Sequence, residues 1–330
     1  MMEAPGASMH PMGSRFYPLR RRDTGGRVNV TSISKSSGLN PEPRKKIRIN
    51  TLQEKKSRRE PITSLSLGDF TSARLADLAG VDFVLVGDSL GTYLLGYENT
   101  LPVTLEEMLH HTRAARRGVK YALVVADMPF GSYQTSVEEG VRNAARFIKE
   151  AGAEAVKIEG GEKRAELVRR LVEAEIPVMG HIGLTPQSIH RMSGYKVQGK
   201  SLPAVEELMR DALALERAGA FAIVLEGVPR EVAAMITAEL SVPTIGIGAG
   251  PECDGQILVL HDLLGLSGET PAKFVREYAD LGTVISQAAS AFKRDVESKA
   301  FPSDEESYHL PKDAQEALGL ILERKRAMLR

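Results

Sequence analysis

The sequence predicts an eight-stranded parallel β/α barrel, and three observations predict it. Eight short apolar runs, rich in β-branched residues, follow one another between Ile62 and Asp262. Longer amphipathic stretches separate most of them, and acidic residues collect where the runs end. A run that is apolar on both faces suits a strand buried between helices in a parallel sheet. Eight such strands alternating with helices point to a closed barrel rather than an open sheet. The chain has 330 residues, and a barrel needs about 250, which leaves room for extensions.

The runs are ITSLSL (62–67), FVLVG (83–87), YALVVAD (121–127), AVKIEG (155–160), VMGHIG (178–183), FAIVLEG (221–227), TIGIGAG (244–250) and QILVLHD (256–262). Helical patterns cover 71–80, 104–117, 136–151, 162–175, 203–219 and 230–240. Gly80, Gly118, Gly152 and Gly219 stand where a helix C-cap is expected. The gap between the seventh and eighth runs is too short for a helix. A further helix is expected from Pro271 to about Arg294, and a charged helical arm from Lys312. The expected division is a tail over 1–44, a barrel domain over 45–300 and a C-terminal helical extension over 301–330.

The flanks differ in composition. Residues 1–44 are rich in Gly, Ser, Pro and Arg, with seven basic and three acidic residues and no apolar period. They read as a disordered tail or as upstream sequence from an early start. An organelle transit peptide is the alternative, opposed by the acidic residues and the weak amphipathicity. The basic segment KKIRINTLQEKKSRR (45–59) reads as a solvated first helix, because it lacks aromatic residues to stack on bases.

The 43 basic and 43 acidic residues cancel, so the chain lacks the basic field that attracts nucleic acid. No run approaches the ~18 apolar residues of a membrane span. One cysteine, Cys253, excludes an intramolecular disulfide and suits a reducing compartment. A cytoplasmic protein is expected, or a mitochondrial one if the tail is a transit peptide.

In a barrel of this kind chemistry sits at the C-terminal ends of the strands. There the sequence places Asp69, Asp88, Asp127, Lys157, Glu159, His181 and Glu226. Two carboxylates on adjacent strand ends suit a hard divalent cation such as Mg²⁺, which leaves its other positions to water and substrate. Asp88 and Asp127 fit that best, with Glu159 nearby. Lys157 and Glu159 stand two apart on one strand, so they share a face. The competing reading is a structural salt-bridged rim. His181 reads either as an acid–base group or as a satisfied buried histidine. The glycines of GIGAG (246–250) either aim backbone N–H groups at an anion or serve only a tight turn.

Nine segments carry a resemblance: VGDSLG (86–91), TLPVT (100–104), ADMPF (126–130), VKIEGG (156–161), GHIGLTPQ (180–187), GYKVQG (194–199), LEGVP (225–229), GIGAG (246–250) and DGQILVLHD (254–262). In order and spacing they resemble the ketopantoate hydroxymethyltransferase family over roughly residues 45–300. The resemblance implies a barrel of the phosphoenolpyruvate mutase/isocitrate lyase type. It implies transfer of a hydroxymethyl group from 5,10-methylenetetrahydrofolate to 3-methyl-2-oxobutanoate, giving 2-dehydropantoate. It implies Mg²⁺ on Asp88 and Asp127 with Glu159 as a third acid, Ser89 and Lys157 as substrate contacts beside Asp88 and Asp127, and Glu226 as the proton acceptor. His181 and Asp69 are candidates for support. A homo-oligomer, a decamer or octamer, is implied as well. The chain departs from the family pattern at Ser66–Asp69, where an aromatic is replaced by Gly68, and at Gly227. Two other readings stand beside this one: a Mg²⁺-dependent C–C lyase or mutase on the same fold, and a non-catalytic metabolite-binding barrel.

Overall fold

The computed structural model describes residues 44–267 and 271–329. The expected tail lies outside them except for Arg44. Eight strands run β1 Ile62–Ser66, β2 Phe83–Val86, β3 Leu123–Asp127, β4 Ala155–Glu159, β5 Val178–Gly183, β6 Ala222–Glu226, β7 Thr244–Ile247 and β8 Gly255–Val259. All pair in parallel, each with its sequence neighbour, and β8 pairs with β1 to close the ring.

Helices fill the crossovers: α2 Phe70–Ala79 after β1, a short α3 Leu90–Tyr93 and then α4 Leu105–Gly118 after β2, and α5 Val137–Arg146 after β3. The α5 helix runs on as a π-helical turn, Phe147–Ala151. Next come α6 Ala165–Glu173 after β4, a short α7 Ile189–Met192 and α8 Leu202–Arg217 after β5, and α9 Arg230–Glu239 after β6. Residues 248–254 join β7 to β8 without a helix, as their number predicts. Among the described residues no helix is long and apolar enough to cross a membrane.

Strand alternation divides the core and sets the phase of the site. Phe83, Leu85, Leu123, Val125, Ala155, Met179, Val224 and Ile245 form one cluster inside the barrel, while Val84, Val86, Val124, Val156, Ile158, Ile223 and Leu225 pack against the helices. With a period of two, Asp127, Lys157, Glu159, His181 and Glu226 fall on the interior phase of their strands. The period that fills the barrel with Val, Leu and Met thus carries the charged residues inward at its top.

The first helix, α1 Ile49–Ser57, is not solvated on all sides. Leu52 is fully buried and belongs to the interior cluster, so α1 plugs the N-terminal mouth of the barrel. The basic residues around it are used as counter-ions. Arg44 pairs with Asp77 at 3.1 Å, Lys46 with Glu154 at 2.6 Å, Lys55 with Asp82 at 2.7 Å and Lys56 with Asp254 at 2.8 Å. Each of these acids also accepts a backbone N–H from a strand or the loop leading into it.

Two further expectations are corrected. Gly80 caps α2 in the left-handed conformation at φ 94°, but Gly118 ends α4 within the helix. Its glycine answers to packing: a Cβ there would stand 2.5 Å from the Phe70 carbonyl oxygen of α2. The helix expected from Pro271 begins only at Leu281. After the short α10, Leu260–Leu263, the chain bonds back through the Tyr278 N–H to the Leu263 carbonyl. Asp280 then caps α11, Leu281–Glu297, and α12 spans Lys312–Met328. Neither of these last two helices buries a residue.

Candidate active site

A cavity of about 520 Å³ opens at the C-terminal mouth of the barrel. Asp88, Ser89, Asp127, Lys157, Glu159, His181 and Glu226 all line it. Strand register explains the convergence. Asp127 on β3 stands opposite Lys157 on β4, Glu159 opposite His181 on β5, and Gly183 opposite Glu226 on β6. Asp88 follows β2, four strands round the ring from Glu226 and so facing it across the mouth.

The charges interlock. The Asp88 N–H donates to Asp127 Oδ2 at 3.2 Å. The Lys157 ammonium lies 3.0 Å from Asp127 Oδ1 and 3.8 Å from Glu159 Oε1. Asp127 Oδ1 and Glu159 Oε1 nonetheless receive no well-directed hydrogen bond, although both are fully buried. Burial, then repulsion from Asp127 and Glu159, holds the Asp88 carboxyl well above the usual carboxylate range. Burial raises Asp127 too, against the pull of Lys157. Glu159 goes the other way: burial is outweighed by His181, Lys157 and the Gln187 N–H. Burial also works against the Lys157 charge, but Asp127, Glu159 and Asp88 more than offset it, so the ammonium holds its proton more tightly than usual.

These features fit a hard cation. Asp88 and Asp127 are adjacent buried carboxylates repelling each other, and Asp127 Oδ1 and Glu159 Oε1 have the Lys157 ammonium nearby but no well-directed hydrogen bond. Among the described residues no three His, Cys, Asp or Glu side chains close around one point. The Asp88–Asp127 pair is therefore the anchor, and an octahedral ion would take its other positions from water and substrate.

His181 links the two sides of the pocket. Its Nε2 is 3.3 Å from Glu226 Oε2, and Lys157 Nζ is 3.1 Å from its Nδ1. A charged lysine at that distance makes Nδ1 an acceptor and leaves the proton on Nε2, which is buried without a well-directed hydrogen bond although Glu226 is 3.3 Å away. Burial and Lys157 lower its proton affinity, yet the Glu159 and Glu226 carboxylates raise it to about 9 overall. The two carboxylates thus favour a charged ring, and the Lys157 contact at Nδ1 favours a neutral one.

Asp69 is placed elsewhere. Its Oδ1 accepts the Ser72 N–H at 2.9 Å as the N-cap of α2, and it does not line the cavity. Its neighbour Gly68 packs tightly, since a Cβ there would meet Leu94 Cδ1 at 2.9 Å.

Gln187 is the residue that sequence reasoning passed over. Its side-chain amide donates to Asp88 Oδ2 and to the Met128 carbonyl, both at 2.9 Å, and its backbone N–H donates to Glu159 Oε2 at 3.0 Å. Its Oε1 accepts from the Tyr133 hydroxyl at 2.6 Å and from Gln134 at 3.1 Å. Those two donors fix which way the amide points. The signal was present as the last residue of GHIGLTPQ. At the mouth, Tyr195 from the 190–200 loop lines the same cavity, as do Tyr93 and Asp262, whose side chains hydrogen-bond at 3.2 Å.

Comparison with known proteins agrees with this geometry. The family described as ketopantoate hydroxymethyltransferase matches residues 46–304. A 3-methyl-2-oxobutanoate hydroxymethyltransferase of Koribacter versatilis is 64% identical over 285 residues, 86% of this chain and 97% of that protein. One of Pelobacter propionicus is 55% identical over 266 residues, 81% and 98%. In fold, the chain resembles phosphonopyruvate hydrolase at a TM-score of 0.53 and 15% identity, covering 85% of this chain and 97% of that one. It also resembles 2,3-dimethylmalate lyase, a PEP mutase/isocitrate lyase superfamily member, at 0.51 and 19%, covering 85% and 98%. With a closed parallel barrel, a carboxylate-rich mouth and these relatives in agreement, the chain belongs to the ketopantoate hydroxymethyltransferase family.

Proposed function

We propose that this chain transfers a hydroxymethyl group from 5,10-methylenetetrahydrofolate to 3-methyl-2-oxobutanoate, giving 2-dehydropantoate, the first step of pantothenate biosynthesis. One observation carries the reading: a buried Asp88–Asp127 pair with Lys157 faces Glu226 across a cavity of about 520 Å³. That arrangement separates a site for the oxo acid's oxygens from a base for its C3 proton.

Asp88 and Asp127, with Glu159 beside them, would hold Mg²⁺, which when bound supplies the Lewis acidity that stabilises an enolate. Lys157 adds a fixed positive charge near the substrate oxygens, and Ser89 offers a hydroxyl at the same wall. Glu226 removes the C3 proton as general base. His181 Nε2 faces the Glu226 carboxylate at 3.3 Å. C3 then forms a bond to the bridging methylene as one of its two carbon–nitrogen bonds breaks, water replaces the second nitrogen to give the hydroxyl, and the protons released from C3 and from water go to the two folate nitrogens. The 190–200 loop, with Tyr195 at the cavity, screens the reactive carbon from bulk water before that step.

The α11 helix leaves Val284, Ile285, Phe292 and Val296 exposed. A second copy covering that face suits the homo-oligomer, a decamer or octamer, expected for the family. A single cysteine and the absence of a long apolar helix among the described residues suit a cytoplasmic enzyme.

Exchange of the C3 hydrogen tests the base. In deuterated buffer with Mg²⁺ and no folate, the wild type should exchange the C3 proton of 3-methyl-2-oxobutanoate, followed by NMR. Glu226→Gln should still bind metal and oxo acid but lose exchange by ~10²-fold or more. Unchanged exchange removes Glu226 from that role.

A further inference from the structure

The catalytic cavity has a wall that the proposed chemistry leaves unused. An oxo acid of five carbons fills only part of about 520 Å³, a size that takes far larger ligands. In the proposed reading its oxygens lie at Asp88 and Asp127 and its C3 at Glu226. What remains lies toward α3, which follows β2, and α10, which follows β8. Tyr93, Asp262, Ser267 and Phe274 line the cavity there.

Asp262 stands apart from the other acids of the cavity. Asp127 and Glu159 face the Lys157 ammonium, Asp88 is held by Gln187, and Glu226 faces His181. Glu98 is exposed at the rim. Asp262 is half-buried and is fixed by two hydroxyls instead. The Tyr93 hydroxyl donates to its Oδ2 at 3.2 Å, and Ser267 Oγ donates to its Oδ1. The Tyr93 ring is itself held, stacked on His261 with 5.6 Å between centres and 15° between planes. A carboxylate accepts about two hydrogen bonds on each oxygen, so each Asp262 oxygen keeps a free position. That makes a fixed pair of acceptors, side by side, at the cavity wall.

An apolar face adjoins this pair. Ile247 on β7, Ile257 and Val259 on β8, and the Phe274 ring line it. Gly248 of GIGAG makes room for that ring, since a Cβ there would stand 2.7 Å from Phe274 Cδ1. Asp262 also shares its space with the base. Burial, then Asp262, raises the proton affinity of the Tyr93 hydroxyl, and the Glu226 charge adds to the rise.

The folate co-substrate presents the complement. Its pterin is an uncharged, nearly flat bicycle. One edge carries two parallel donors, the ring N–H and the 2-amino group, and the bridging methylene lies at the opposite end. We propose that Asp262 binds that edge of methylenetetrahydrofolate, one N–H to each carboxylate oxygen, with the bicycle against Phe274 and the β7–β8 wall. Two parallel N–H donors on one carboxylate fix orientation as well as affinity. Held at the end of β8, the bicycle points its methylene inward, toward the C3 that Glu226 deprotonates. This inference rests on the hydroxymethyl-transfer reading.

The test is a cycle of two co-substrates and two proteins: methylenetetrahydrofolate and its 2-deamino analogue, with the wild type and Asp262→Asn. Asn keeps the size and still accepts from Tyr93, but it offers an N–H where the pterin needs an acceptor. In the wild type the deamino analogue should raise KM by about tenfold or more. In Asp262→Asn the KM for the folate should rise by at least as much, and most of the difference between the two co-substrates should vanish. The KM for 3-methyl-2-oxobutanoate and the folate-free C3 exchange should not move, which also shows the variant to be folded. A purely structural Asp262 would raise both folate KM values equally and keep their ratio. That outcome overturns the inference and leaves the transfer reading intact, as does a wild type that does not distinguish the two co-substrates. Tyr93→Phe keeps the stacked ring but frees one carboxylate oxygen, so it should raise the folate KM alone, by a smaller factor. An unchanged folate KM in Tyr93→Phe contradicts the inference even if Asp262→Asn does not fold. A wild type that forms no product with the folate overturns the transfer reading, and the inference with it.

Discussion

Replacing Gln187 with Leu should weaken metal binding more than any contact to the metal itself would suggest. Leu keeps the volume but removes the amide that holds Asp88 Oδ2 at 2.9 Å and one partner of the Tyr133 hydroxyl at 2.6 Å. Asp88 is then free to turn, and its turning blurs the anchor that it forms with Asp127. Loss of such a supporting hydrogen bond commonly costs roughly 10- to 100-fold in metal affinity. The Met128 carbonyl also loses its Gln187 donor, at about 1–3 kcal/mol, while the Tyr133 hydroxyl keeps its bonds to the Glu159 backbone. The fold withstands this, because the backbone N–H of residue 187 still holds Glu159 at 3.0 Å. Isothermal titration with Mg²⁺ and a thermal melt measure the two effects separately. A Gln187→Leu protein with wild-type Mg²⁺ affinity and a lowered Tm would refute the reasoning and reduce Gln187 to packing.

Three further outcomes follow from the same structure. Leu52→Ala empties the single buried position of the α1 plug; stability should fall by about 2–5 kcal/mol in denaturant titration, with kcat of the folded protein unchanged. The raised proton affinities of Asp88 and Asp127 give a sign to the pH dependence. Groups raised on folding favour the fold at low pH, and that contribution is lost as pH rises through their folded values, so the metal-free barrel carries uncompensated repulsion at neutral pH. Added Mg²⁺ should therefore raise Tm more at pH 8 than at pH 5 in calorimetry, and an equal rise at both contradicts the assignment. Lys157→Met should leave two or more carboxylates without their buried cation, lowering C3 exchange by ~10²-fold or more in the NMR assay.

Much of this was legible because one period governs two things. The alternation that marks β4 as a strand also puts Lys157 and Glu159 on one face, and the same phase carries Asp127, His181 and Glu226 inward. What escaped depends on tertiary contacts that leave no periodic trace. Asp69 looks catalytic by position, but its side chain satisfies an α2 N–H, which a residue count from the strand end does not reveal. Gln187 sits in a loop and acts through four hydrogen bonds from its side chain and one from its backbone. The segment 45–59 reads as solvated because a single apolar residue, Leu52, among charges is enough to plug a barrel. The late start of α11 comes from the bond of Tyr278 to Leu263, which competes with local helix formation.

The central claim is that this barrel joins an oxo acid, held at the Asp88–Asp127 pair, to a one-carbon unit from folate. The direct measurement is 2-dehydropantoate formation from 3-methyl-2-oxobutanoate by the purified protein, with Mg²⁺ and methylenetetrahydrofolate present together and each omitted in turn. The account predicts product only when both are present. A folded protein that forms no 2-dehydropantoate under those conditions, or forms it equally well without Mg²⁺, contradicts it.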